Sequence, residues 1–337
     1  MQCKNKPYYT WIDLAKVIGI FLVIYGHGNL ANQHIKEFIY TFHMPLFFVL
    51  SGLLYHPITF RQTLKKDWHT LITPYLLLNL LCLIPFLLSP LKGTFTVERL
   101  FQRVGAIVMG LGYEHSYWVP VSTPCWFLVS LFLARIILSF GYNYFNNKFL
   151  IFIGAISVLI TWILHLLELD LLVPLDSTLL AMPFLCIGYK LKPFLLKEDY
   201  ISRRGYFILT ILILPLMCII SYFNGMVDTN KCLYGNFLVL YYLGGILGTL
   251  CVCFLSKCCN LQRRVLYCHQ IAGGTLLIIG LNLWMIILVK KVFNIIFPSL
   301  ETSGIIGFII ALICLIAFYP LIKITKHLFP AILGNRK

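Results

Sequence analysis

Apolar residues run through this chain in long stretches, separated by short polar connections. A helix needs about 20 mostly apolar residues to cross the hydrocarbon core of a bilayer. That ruler marks ten segments: 11–30, 38–56, 70–90, 123–141, 149–167, 173–190, 205–223, 233–254, 265–288 and 303–322. Runs such as Leu76-Leu77-Leu78 and Ile211 to Leu216 lack the polar–apolar alternation of membrane β-strands. The pattern predicts an all-α polytopic membrane protein of about ten transmembrane helices, in a single domain over residues 1–337. The long connection 91–122 carries an apolar stretch, Val104 to Leu111, too short to span and suited to an interfacial or re-entrant position. Asp13 and Lys16 interrupt the first segment, which therefore reads as a retained span and not as a cleaved signal peptide.

Composition narrows the class. Hydrophobic residues make up 60% of the chain and charged residues 12%, about half the charged share of a soluble domain. A water-soluble fold of this size has no means of hiding that much apolar surface, and disorder or a secreted disulfide scaffold is excluded on the same ground. The formal net charge is +15. In a soluble protein that would suggest nucleic acid; here it is read as topology, with no nucleic-acid partner. With both termini in the cytoplasm, the inner connections hold 18 Lys and Arg residues and the outer ones seven, as the excess of cytoplasmic basic residues in membrane proteins requires. Most of the 12 cysteines fall in spans or on the inner side, where disulfides do not persist. The run Cys251 to Cys259 lacks the paired spacing of a zinc site, so no metal is expected.

Ionisable groups inside spans are costly and face a bundle interior or a wet cavity. The first segment carries Asp13, Lys16 and His27. At about 100° per residue, Lys16 and His27 project within roughly 20° of each other and Asp13 within about 60° of both. The plain reading is an Asp13–Lys16 ion pair with a hydrogen-bonded histidine above it; the functional one is a polar pathway. The second segment reads Phe42-His43-Met44-Pro45 and onward to Ser51-Gly52. It puts His43 at the depth of His27, while Pro45 frees the carbonyl of Thr41, a group that His43 is placed to satisfy. Trp126, at the start of the fourth segment, lies at the same level and is either an interfacial anchor or part of that cluster. Arg135, nine residues deeper, must face protein or water. Asn282, in the ninth segment, is either a further member of the cluster or interhelical glue.

These residues resemble a family, the integral-membrane acyltransferase 3 proteins, and within it the fucose 4-O-acetylase-like subgroup. Ile12-Asp13-Leu14-Ala15-Lys16 through Tyr25-Gly26-His27 is similar to its first-span motif, a basic residue and then, after ten others, a histidine. Phe42-His43-Met44-Pro45-Leu46-Phe47-Phe48 to Ser51-Gly52 is similar to the second-span motif and is the most specific of the three. Trp126-Phe127-Leu128, then Met182-Pro183-Phe184 to Gly188-Tyr189, follow in family order. Three positions depart from the pattern. Lys16 stands where arginine is commoner, Asp67-Trp68-His69-Thr70 lacks the arginine usual before Pro74-Tyr75, and Asn282 replaces a frequent histidine.

The resemblance implies a membrane O-acetyltransferase that moves an acetyl group from cytoplasmic acetyl-CoA to a hydroxyl of a cell-envelope sugar or glycan precursor. It also implies a multi-pass position in the cytoplasmic membrane of a bacterium. On that reading His27 is the general base, with Asp13 and Lys16 as its companions in the first span. Arg135, Lys65 and Lys66, with Lys16, suit the phosphates of the coenzyme. Trp126 suits stacking on a sugar ring, and His43, Ser51 and Asn282 suit binding of the acceptor. The alternatives are a transporter or flippase of polar or lipid-linked sugars, for which two similar halves would speak, and an inactive relative acting as a scaffold.

Overall fold

The computed structural model describes residues 8–88, 95–114, 117–145, 149–169, 171, 174–197, 201–259 and 266–334. Several connections that carry the expected charge bias (1–7, 146–148, 198–200, 260–265 and 335–337 on the inner side, 89–94 on the outer) lie outside the described residues. The regular elements among the described residues are helices. Eight of these are long and apolar enough to cross a membrane. The first runs Phe60–Leu87 and comprises α4 (Phe60–Asp67), a π-helical turn (Trp68–Ile72) and α5 (Thr73–Leu87). The second runs Thr123–Tyr144, with a 3₁₀ turn leading into α7 (Trp126–Tyr144). The others are α8 (Phe149–Leu166), α9 (Leu175–Leu195), α10 (Arg203–Asn224), α11 (Leu238–Cys259), α13 (Thr275–Ile296) and α14 (Gly304–Leu328).

The two histidine-bearing segments are shorter than the apolar pattern suggests. The first forms α1 (Thr10–Gly26), 17 residues long, at the lower limit for a span. The second is not one helix. It divides into α2 (Gln33–Tyr40) and α3 (His43–Leu53), with the break at Thr41-Phe42. Pro45 therefore lies in the first turn of α3, where a missing N–H leaves no gap, and no proline kink is present. The ninth segment also divides, at Gly274, into α12 (Leu266–Gly273) and α13. In the long connection, α6 (Val97–Met109) is a short helix stopped by Gly110 in a left-handed conformation, φ +76°. The Tyr75 hydroxyl donates to its Ile107 carbonyl at 2.6 Å.

Local chemistry explains several boundaries. Asn32 accepts from the Ile35 N–H at the start of α2, and Thr59 and Gln62 form a reciprocal capping box at α4. The central contacts are those of α3 with α9 and of α10 with α11. Where α3 meets α9 the backbones touch: a Cβ on Gly52 would lie 2.2 Å from the Leu185 carbonyl oxygen, and one on Gly188 2.2 Å from that of Val49. Small residues at such a crossing let two membrane helices approach closely. At the periphery, α8 and α10 expose large side chains such as Ile151, Leu159, Ile211 and Leu212, the apolar face that lipid requires. Substituting Gly188 by valine should lower stability by about 1–3 kcal/mol through overpacking. Thermal unfolding of the detergent-solubilised protein checks this, and an unchanged midpoint would contradict the interlocked crossing.

Candidate active site

Helix ends inside an apolar bundle leave carbonyls without partners, and both histidines sit at such ends. His27 follows the last residue of α1 with an extended backbone, φ −103° and ψ 166°. The helical projection that aligned it with Lys16 therefore stops one residue short of it. Its Nδ1 lies 2.6 Å from the Val23 carbonyl oxygen. His43 opens α3, and its Nδ1 lies 3.0 Å from the Ile39 carbonyl oxygen in the last turn of α2. A carbonyl oxygen only accepts, so Nδ1 carries the proton in both rings. In each neutral ring Nε2 is then the bare nitrogen. The two ring centroids are 6.5 Å apart and edge-on. Tyr40 sits against both, 5.9 Å from His27 and 4.8 Å from His43.

Both histidines line one cavity of about 160 Å³. Trp126 lines it too and is buried, 5% exposed, which makes it part of the cluster and no lipid-facing anchor. Val23, Met44 and Phe47 contribute apolar wall, and Asp228, Asn230 and Lys231 close it from the loop between α10 and α11. That loop is tied down through backbone groups: Asn230 Nδ2 donates to the Gly112 carbonyl at 3.0 Å, and Asn224 Nδ2 to that of Tyr234 at 2.8 Å. Burial raises the Asp228 carboxyl above its ordinary value, against the opposing pull of the Asn230 and Lys231 N–H groups and of the Lys231 and Lys36 charges. After His27 the chain turns through Gly28, φ +63°, where a Cβ would meet Ile286 Cγ2 at 2.6 Å.

Asn282 belongs beside this cavity. On α13 it lies one turn from Ile279, which lines the cavity, and one turn from Ile286, which meets Gly28, so all three share a helix face. It is fully buried, and neither its amide nitrogen nor its amide oxygen has a hydrogen-bond partner. An unpaired buried amide costs about 1–3 kcal/mol, which makes it a candidate ligand for whatever fills the adjoining space.

The remaining sequence candidates lie elsewhere. Ser51 does not line the cavity; it accepts from Arg135 Nη1 at 3.4 Å, about 12 Å along α3 from His43 by helical rise. Arg135 is committed chiefly to Asp67, Nε to Oδ2 at 2.8 Å. Its guanidinium also lies 5.7 Å from the centroid of the Tyr55 ring. Asp13 does not pair with Lys16: it accepts from the Tyr8 hydroxyl and from His269 Nδ1, the latter at 2.8 Å. Lys16 has no ion pair among the described residues, and Lys65 and Lys66 end α4. Sequence reasoning missed Asp67, counted as a loop charge, and also Tyr40, His269 and the loop carboxylate Asp228. A fully buried Asp67 follows from the helix starting at Phe60, ten residues before the expected span. The lone arginine in the fourth span was the available signal that such an acid must exist.

The family described as an acyltransferase domain matches residues 9–322. No curated protein and no solved structure matches the chain. Replacing Asp67 by alanine should destabilise the protein by about 3 kcal/mol, because it strands a cation whose side chain is only 16% exposed. Asp67→Ala combined with Arg135→Met should recover part of that loss in thermal unfolding; a double variant no more stable than the single one would refute the pairing.

Proposed function

Because the chain belongs to the acyltransferase 3 family and is a multi-pass membrane acyltransferase, we propose that it transfers acetyl from acetyl-CoA to a sugar hydroxyl with His27 as general base. The observation that carries this reading is the 2.6 Å contact between His27 Nδ1 and the Val23 carbonyl. It holds the ring in the tautomer whose Nε2 accepts a proton, in a cavity shared with His43 and Trp126. In the reaction Nε2 takes the proton of the acceptor hydroxyl as its oxygen attacks the thioester carbonyl. The carbon–sulfur bond then breaks, and the imidazolium returns the proton to the leaving thiolate. The unpaired amide of Asn282 is suited to hold a hydroxyl or the developing oxyanion. The Trp126 ring suits the apolar face of a sugar.

The donor's phosphates suit the opposite end of α1. Lys16 lies eleven residues before His27, about 16 Å by helical rise, and makes no ion pair among the described residues. Lys65 and Lys66 extend the basic character of that end. Arg135, already neutralised by Asp67, is the weaker phosphate ligand of the set, and with Ser51 it serves the inner framework better than the reacting centre. The acceptor then belongs to the cell envelope, reached from the His27 end, and the membrane is the cytoplasmic membrane of a bacterium. His27→Ala should lower transfer by about 10²–10⁴-fold with normal expression and an unfolding midpoint lowered only by the loss of the donor to the Val23 carbonyl, about 0.5–1.5 kcal/mol. Thiol release from acetyl-CoA with acceptor present, and mass spectrometry of surface glycans for the missing acetyl group, measure it. Undiminished transfer by the variant would overturn the assignment of the base.

A further inference from the structure

The histidine cavity and the residues beside it gather more positive charge than the carboxylate lining it neutralises. Lys231 lines the cavity directly. Lys290 Nζ donates to the Gly28 carbonyl at 3.2 Å, one residue past His27. Lys36 Nζ stands 5.4 Å from the centroid of the Tyr40 ring, the ring packed against both histidines. These lysines come from three separate elements, α2, α13 and the loop between α10 and α11, so no single helix explains their meeting. None of the three makes an ion pair among the described residues. The nearby Glu37 is occupied by Gln33 and His34. Among the described residues Asp228 is the one carboxylate lining the cavity, and its oxygen Oδ1 accepts from the Asn230 N–H at 3.0 Å.

Three half-satisfied ammonium groups, one in the cavity wall and two against Tyr40 and Gly28 beside the histidines, form an anion-attracting collar. A single inward carboxylate beside them is a hydroxyl acceptor, the usual partner for a sugar diol. Resting on the acyltransferase reading of the same cavity, we propose that the acceptor is an anionic sugar. Its carboxylate or phosphate group is held among Lys36, Lys231 and Lys290, and its hydroxyls are ordered by Asp228 between Trp126 and His27. The collar supplies the attraction and the orientation; the carboxylate fixes which hydroxyl meets Nε2. The anion stays outside the apolar wall, where its remaining charge is hydrated.

The test is direct binding to the purified full-length protein in detergent at low salt, without acetyl-CoA. The probes are methyl glucuronide, glucose 6-phosphate and neutral methyl glucoside. The charged sugars should bind about tenfold tighter than the neutral one, with the preference shrinking as salt rises. The glucuronide and phosphate arms tell a carboxylate site from a phosphate site. Lys36→Gln, Lys231→Gln and Lys290→Gln together should remove the preference, and the corresponding arginine substitutions should keep it. Lys231→Gln alone, at an exposed loop position, should weaken it about threefold and guards against misfolding of the triple variant. Equal binding of charged and neutral sugars, binding of none of them, or a preference that survives the triple glutamine variant overturns the proposal. His27→Ala should keep the preference while losing transfer; if it keeps transfer, the assignment of the base fails and the collar stands.

Discussion

The site depends on one constraint: a backbone carbonyl released at a helix end within an apolar bundle must find a donor. The chain interrupts its helices twice near one level, after Gly26 and at Thr41-Phe42, and at each an imidazole N–H reaches a carbonyl of the ending helix, Val23 or Ile39, the latter shared with the Phe42 N–H. A lysine or arginine at those positions would supply the donor but keep its charge among apolar neighbours. A serine would supply it and leave nothing over. Histidine gives one nitrogen to the backbone and keeps a second for chemistry. The structural role and the proposed reactive one thus reside in the same ring, and the carbonyl contact fixes the tautomer that the proposed base needs.

A division of labour along the bundle follows. The level of the histidines is lined by rings and by groups with spare hydrogen-bonding capacity, including the unpaired Asn282 amide. About 12 Å away along α3, most polar residues are paired with one another: Arg135 with Asp67 and Ser51, and Ser139 with Thr63 at 2.9 Å, although Asp67 Oδ1 and the Tyr55 hydroxyl have no hydrogen-bond partner among the described residues. The second group joins α3, α4 and α7. The opposite end of α1 is fastened to α12 through Asp13, His269 and Tyr8. These ties hold the helices that carry the reacting level, while that level itself remains incompletely satisfied, as a binding site must.

Much of this was legible in the sequence because apolar length and isolated polar residues are local signals. The long spans and the shared level of His27, His43 and Trp126 follow from counting along the chain, whereas the place of Trp126 in the cavity wall needed the fold. The break between α2 and α3 was not legible, since Ile39 to Phe48 stays apolar through it and a proline inside a span reads naturally as a kink. The partnership of Asp67 with Arg135 was hidden because the residues are 68 positions apart and the helix reaches well beyond its apolar core. Asp13 was assigned its nearest basic neighbour in sequence, whereas the fold supplied His269 from a distant element. The loop after α10 reads as an ordinary polar connection, and only its folding back over the cavity gives Asp228 and Lys231 their position. Local periodicity carries no record of which distant loop returns to which helix.

The way that loop is fastened bears on how such a protein changes over evolutionary time. Asn224 accepts from the Phe237 N–H, Asn236 Nδ2 donates to the Phe223 carbonyl, and Asn230 Nδ2 to that of Gly112. Asparagines thus hold the loop mainly by main-chain groups, which every replacement sequence would also possess. Side chains over the cavity other than Asn230, such as Lys231, can then be exchanged with little disturbance to the clasp, and none to the carbonyl contacts that orient the two imidazoles. On the proposed function, one fixed pair of imidazoles can serve a succession of different acceptors, with diversification confined to a cover of about a dozen residues.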